Sequence, residues 1–239
     1  MKTLNSRFIY QNPIFSMYTD ELEFDDKTVS SRTYLKHPGS VANLVIDDNN
    51  NVLLIKQYRH LLGKEMVELP AGIIDTTDNT KEDAAIRELQ EETGLKAYST
   101  DFLTKFTNSP GYTDETTYIF LVQVKDWAED YSDFVKENEE ASLKVFKEPL
   151  PEVLAKVQKG EYTNPALVIA ILNYCSAINR MIYSTNNDRP YIIQQLNKLP
   201  NIRAIVGYVP NTIDVNGNKL ISLVSTVTIT KQGLVNKEE

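Results

Sequence analysis

Glu88, Glu91 and Glu92 stand three and four residues apart in RELQEETGL, residues 87 to 95. On a helix with 3.6 residues per turn they share one stripe, with Glu88 and Glu92 about 6 Å apart along the axis. Like charges at that spacing repel by roughly 0.2–0.5 kcal/mol per pair, so three converging carboxylates call for a cation. Arg87 supplies one, since it can reach Glu91 as an i,i+4 pair. A divalent ion is the further compensation. Mg²⁺ or Mn²⁺ prefers oxygen donors and completes an octahedron with one or two carboxylates plus substrate phosphates. The plain alternative is a solvated acidic helix face bridged by lysines. Context favours the ion: ELPAGIID precedes the helix and Thr93-Gly94 closes it, so the carboxylates sit beside a glycine loop between strand and helix.

The elements that must position this stripe are legible around it. Thr80 is the expected N-cap, with Asp83 completing a capping box, and Gly94 takes the left-handed position past the end. This predicts a helix over residues 81–93. SVANLVID and NVLLIKQYR flank the turn-rich DNN and read as a hairpin. TDFLTKFTNS and ETTYIFLVQVKDW read as further strands, with SPGYTDE between them. EPLPEVLAKVQKGE reads as a short helix closed by Gly160, and Asn164-Pro165 opens an apolar helix to about Met181. Alternating segments in the first forty residues predict a β-meander. The order of strands, helix, strands and helices implies an α/β or α+β sandwich rather than a doubly wound parallel sheet.

Composition narrows the setting. The 239 residues carry a formal charge of −8, with 41% hydrophobic and 24% charged side chains, as in a globular protein able to bury a core. That charge argues against a broad grip on nucleic acid or on an anionic membrane. The longest apolar run, ALVIAIL at 166–172, is far short of the roughly 20 residues that span a bilayer. MKTLNSRFIY lacks a signal-peptide core, so a cytoplasmic protein is expected. Cys175, the single cysteine, excludes an intrachain disulfide and reads as a small core residue. His37 and His60 read as turn or surface residues.

GIIDTTDNTKEDAAIRELQEETGL resembles the signature of the Nudix hydrolases, and Arg87 to Leu95 matches its second half at every defined position. The first half departs from it. Gly72 to Arg87 is one residue longer than the usual spacing, so the signature's first glutamate corresponds to Asp78 or Asn79. HPGSVANLVID, LLIKQYR, ELPAGIID and NSPGYTDE extend the likeness to the ADP-ribose pyrophosphatase branch over about residues 8 to 182. Pro110, sixteen residues past Gly94, matches the proline marker of that branch.

The resemblance implies a Nudix-type α/β/α sandwich with a mixed sheet, and a site to go with it. Glu88, Glu91, Glu92 and the Ala71 carbonyl are the implied metal ligands, for Mg²⁺ or Mn²⁺. Glu115 is the mobile-loop carboxylate that activates water, and with Glu91 and Arg87 it makes up the expected catalytic set. Arg59, Arg32 and Glu68 are expected at the substrate, and Phe15 or Phe24 against its base. Asn138-Glu139-Glu140 either borders the site or is a charged loop. The implied substrate is a small nucleoside diphosphate, ADP-ribose first, cleaved to AMP and ribose 5-phosphate. A UDP- or GDP-linked sugar is the neighbouring reading, and a ligand-sensing regulator without hydrolysis is a more distant one. The implied organisation is a meander at 1–39 used for homodimerisation, a catalytic domain at 40–182, and an extension at 183–239. That extension lies outside the resemblance; its own residues predict a helix and a hairpin turning at Asn216-Gly217, with Ile221, Leu223, Val227 and Ile229 along one strand face.

Overall fold

The computed structural model describes residues 1–47, 49–124 and 143–183, together with 203–205, 226–230 and 233–236. Residues 138–140, the expected turn at 216–217 and residues 221 and 223 lie outside these.

The apolar runs of the chain build two sheets. The first has four strands in the order β7-β4-β9-β8: β7 (Ala71–Ile73), β4 (Ser40–Val45), β9 (Thr116–Val124) and β8 (Ala97–Thr107). It is mixed, because β4 runs parallel to β9 while the other pairs are antiparallel. The second has β10 (Lys144–Pro149), β5 (Asn51–Arg59) and β6 (Lys64–Glu68), with β5 in the middle.

β4 and β5 are buried on both faces. Val41, Val45 and Leu53 join Phe120 and Val122 in a core under α1 (Lys81–Thr93), which contributes Ala84, Ala85 and Leu89. Ala42, Leu44, Val52 and Leu54 join Ile119 and Leu121 in a second core, covered by α2 (Leu150–Gln158) and α3 (Pro165–Tyr183). Helices therefore cover both faces of the strand layer, which is the expected α/β/α sandwich. Strands buried on both faces read as continuous apolar runs rather than as alternation.

The hairpin expected across DNN needs correcting. β4 and β5 share only the Ile46–Val52 bridge and then diverge into separate sheets. Asp47 makes the turn, accepting from the backbone N–H of Asn49 and Asn51 at 3.0 and 2.7 Å, with Asn50 at φ 59°. With an apolar face toward each helix layer, each strand finds better cover in its own sheet than in its sequence neighbour.

The first 36 residues form an antiparallel three-stranded sheet, β1 (Lys2–Gln11), β2 (Ser16–Glu23) and β3 (Val29–Lys36). All of β1 is exposed, including Phe8 and Tyr10. The end of β3 is tied to the loop before β9: Leu35 donates to the Tyr112 carbonyl at 2.8 Å, and Lys36 pairs with Asp114 at 2.8 Å. In the extension, β11 (Arg203–Ile205), β12 (Thr226–Thr230) and β13 (Gly233–Asn236) pair antiparallel in that order. Among the described residues, no helix is long and apolar enough to cross a membrane.

Candidate active site

The helix that carries the glutamates starts and stops where its sequence says it should. Thr80 accepts from Asp83 N–H at 3.0 Å while the Asp83 carboxylate accepts from Thr80 N–H at 3.1 Å, and Gly94 lies at φ 73°. With both ends fixed, Leu89 and the two alanines face the core, and Glu88 and Glu92 fall on the edge of that buried face. They are 9% and 5% exposed. Both turn toward β7. Glu92 accepts from the Ala71 N–H at 2.8 Å. The Glu88 carboxyl group fills the space above Gly72, where any Cβ would collide with it. Asn43, in the middle of β4, clamps the same junction. Its N–H donates to the Pro70 carbonyl at 2.8 Å, and its Nδ2 donates to the Ala85 carbonyl at 3.0 Å.

Arg87 is the hub beside this pair. Its five N–H groups all have acceptors: Nε and Nη2 bind Asp78 at 3.1 and 2.9 Å, Nη1 binds Glu88 at 2.8 Å and Glu91 at 2.9 Å, and Nη2 also binds the Ile73 carbonyl at 2.9 Å. Of Asp78 and Asn79, it is therefore Asp78 that answers the arginine across the lengthened loop. The guanidinium holds the Asp78 carboxyl below the usual carboxylate range, and Asp78 in turn raises Arg87 further.

This hub brings Glu88 and Glu91 together on Arg87 Nη1, while Glu92 turns to the Ala71 N–H. Glu91 is drawn to Arg87 and its side chain stays 46% exposed, while Glu88 and Glu92 turn inward to β7. Among the described residues, no three acidic, histidine or cysteine side chains gather closely enough to share an ion. The donor set still suits a hard divalent cation. It combines two buried carboxylates one helical turn apart, main-chain oxygens of β7 nearby, and a glycine that leaves room for the Glu88 carboxyl group.

Arg59, at the end of β5, makes a two-pronged bond to Glu68 on β6, Nε at 2.7 Å and Nη2 at 2.6 Å. Glu68 is 3% exposed and the Arg59 side chain 44%. The bond to Glu68 raises the arginine's pKa, and the charge of Glu92 adds to the effect, which ties Arg59 electrostatically to the helix site. Glu115 sits just before β9, its N–H on Thr113 Oγ1 at 3.1 Å and its carbonyl accepting from Asn108 N–H at 3.0 Å. Ser40 Oγ donates to its carboxylate at 3.3 Å. Ser40 pairs in register with Thr117 on one side and Ile73 on the other, so Glu115 and the Ala71–Ile73 strand lie at the same end of the sheet. The loop expected to be mobile is thus anchored both to β3 and to β4. Arg32 is not brought to this group. It stands exposed on β3, bonded to Ser30 and Ser31 and 5.9 Å from the Phe24 ring centroid. Phe15 packs near Tyr10 at 6.4 Å.

Sequence reading missed Asn43, Ser40, Thr117 and Asn108. Only Asn43 had a signal, as a lone amide inside an apolar run.

The NUDIX domain model matches residues 36–162, more than half of the chain. This chain belongs to the Nudix family. The ADP-ribose pyrophosphatase of Bacillus subtilis is 31% identical over 170 residues, covering 71% of this chain and 90% of that protein. The ADP-ribose pyrophosphatase of Mycobacterium tuberculosis is 29% identical over 171 residues, covering 72% and 81%. The methanol dehydrogenase activator of Bacillus methanolicus is similar to the same extent, 28% identical over 170 residues. A crystal structure of an ADP compounds hydrolase superposes with a TM-score of 0.61 at 20% identity, over 74% of this chain and 94% of that one, and supports the Nudix fold. The chain is an enzyme, a Nudix hydrolase whose similarity runs to the ADP-ribose pyrophosphatases named here.

Proposed function

We propose that this Nudix hydrolase cleaves ADP-ribose at its diphosphate, giving AMP and ribose 5-phosphate, with Mg²⁺ or Mn²⁺ as cofactor. The observation that carries the reading is the pair of buried carboxylates, Glu88 and Glu92, folded against the Ala71-Gly72 strand beside the Arg59 guanidinium. Burying two carboxylates side by side is costly unless a cation compensates them. The similarity to two ADP-ribose pyrophosphatases over seven-tenths of the chain supports this substrate.

Glu88, Glu92 and the Ala71 carbonyl would hold the divalent ion, with Glu91 as a further ligand or hydrogen-bonded support. Once bound, the ion would neutralise diphosphate charge and make a water more acidic. Arg87 keeps Glu88 and Glu91 in place and limits their mutual repulsion. Arg59, held rigid by buried Glu68, offers its exposed edge to the diphosphate, a geometry suited to bidentate phosphate binding. Glu115 orients the water and takes its proton. The water oxygen joins one phosphorus, the bridging P–O bond breaks, and the second phosphate leaves. Two chains pair through the exposed meander, bringing Arg32 and Phe24 or Phe15 of one to the nucleotide end of the other's substrate.

Product analysis tests the reading. ADP-ribose, NADH and UDP-glucose are incubated with and without Mg²⁺, and the products are separated by ion-exchange chromatography. AMP and ribose 5-phosphate released fastest from ADP-ribose, and only with Mg²⁺, is the expected result. Faster cleavage of UDP-glucose would move the assignment to another nucleoside diphosphate sugar, and no metal-dependent release from any of the three would end it. A monomer by gel filtration at micromolar concentration would remove the dimer.

A further inference from the structure

We infer that Ser40, backed by Thr117 and Asn108, is a positioning residue that aims the Glu115 carboxylate; this rests on the reading of Glu115 given above. The hydrogen-bond directions can be worked out from one end. Asn108 Nδ2 can only donate, and it does so to Thr117 Oγ1 at 2.8 Å. Ser40 Oγ and Thr117 Oγ1 are 2.7 Å apart, and either could be the donor. At the 3.3 Å contact Ser40 Oγ donates to the Glu115 carboxylate. With its single proton committed, Ser40 accepts from Thr117, and Thr117 accepts from Asn108. Every link therefore points the same way: amide to threonine to serine to carboxylate.

Thr117 is 5% exposed, so the middle of the chain is shielded from competing water. The Glu115 main chain is fixed through Thr113 and Asn108, and its neighbour Asp114 is held by Lys36 Nζ at 2.8 Å and by the His37 N–H at 2.9 Å. With the backbone pinned, the freedom that remains is rotation of the side chain, and the Ser40 hydroxyl limits it. Bonds of this length in a free enzyme shorten when substrate closes the site. Ser40 also faces Ile73 in the β4–β7 register, so the residue that aims Glu115 is fixed to the strand that carries Ala71 and Gly72.

The test is a double-mutant cycle in the full-length enzyme, with kcat and KM for ADP-ribose in Mg²⁺ and melting temperature measured for S40A, S40T, T117V, E115Q and S40A/E115Q. S40A is expected to lower kcat about tenfold, which is about 1.4 kcal/mol of barrier, with KM and melting temperature nearly unchanged. S40T keeps a hydroxyl and should recover most of the rate, while T117V should fall between S40A and the parent. S40A/E115Q should be no slower than E115Q, because without the carboxylate there is nothing left to aim. A slow E115Q alongside a full-rate S40A, or an S40A effect that persists undiminished in the E115Q background, overturns the role of Ser40. An E115Q enzyme with full turnover overturns the reading of Glu115 itself, and the proposal with it.

Discussion

Gly72→Ala separates the chemistry of the site from the stability of the fold. A Cβ at Gly72 would fall well inside the 3.0 Å limit of real Cβ contacts, and its three nearest neighbours are the atoms of the Glu88 carboxyl group. That group is the far end of a flexible side chain, so it moves rather than the strand. Restoring an allowed contact takes a withdrawal of about 1 Å, and a misplacement of that size at reacting groups costs on the order of 100-fold in rate. The fold has little to lose. No left-handed backbone is required at Gly72, and replacing glycine at a compatible site commonly stabilises by about 0.4–1 kcal/mol through the unfolded chain. Turnover of ADP-ribose in saturating Mg²⁺ should therefore drop about 100-fold, with a melting temperature at or slightly above that of the parent. Full activity in G72A would refute the claim that Glu88 must occupy that cradle. A large loss of stability would refute the argument that only a side-chain tip is displaced.

Three further outcomes follow from the same geometry. E92Q should abolish Mg²⁺-dependent turnover and any Mg²⁺-induced rise in melting temperature, whereas E91Q, at an exposed position paired with Arg87, should retain more of both; equal losses would contradict the division between inward and outward glutamates. Asp78 has a lowered pKa through Arg87, so its contribution to stability is present above the unfolded value of about 3.9 and is lost as pH falls through the folded value. Urea midpoints at pH 7 and pH 3 should accordingly show D78N less stable than the parent at pH 7, with the gap narrowing at pH 3. The Cys175 thiol, partly buried, is pushed up to about 11 by burial and should react with a disulfide reagent at pH 8 more slowly in the native protein than after denaturation; equal rates in the two states would refute this.

The parts of this molecule that could be read from sequence are those whose causes are local. The bounds of α1 follow from Thr80, Asp83 and Gly94, all within one turn of its ends. Asn164 likewise announces α3, accepting from the Leu167 N–H at 3.1 Å. Spacing placed Glu88, Glu91 and Glu92 on one side of the helix, but it could not say how each side chain turns. That depends on Arg87, whose Nη1 gathers Glu88 and Glu91, and on the Ala71 N–H that takes Glu92. The hairpin expectation failed for a related reason. DNN does turn the chain, as Asp47 shows, but which strands pair is decided by two cores that lie on opposite faces. Ser40, Asn108 and Thr117 carried no signal because their alignment is a property of sheet register between segments about 70 residues apart.

The charge balance at α1 explains why the repulsion among its glutamates is tolerated. Asp78, Glu88 and Glu91 share one guanidinium, and Glu92 leans on a main-chain N–H and on the field of Arg59, which is itself committed to Glu68. These two guanidiniums stand against Asp78, Glu88, Glu91, Glu92 and Glu68 in a chain whose formal charge is −8. A fully compensated cluster would be a structural network with no reason to take up an ion. Arg87 holds Asp78, Glu88 and Glu91 in shape. On the proposed reading, a divalent ion would bind against these carboxylates, with the anionic diphosphate behind it.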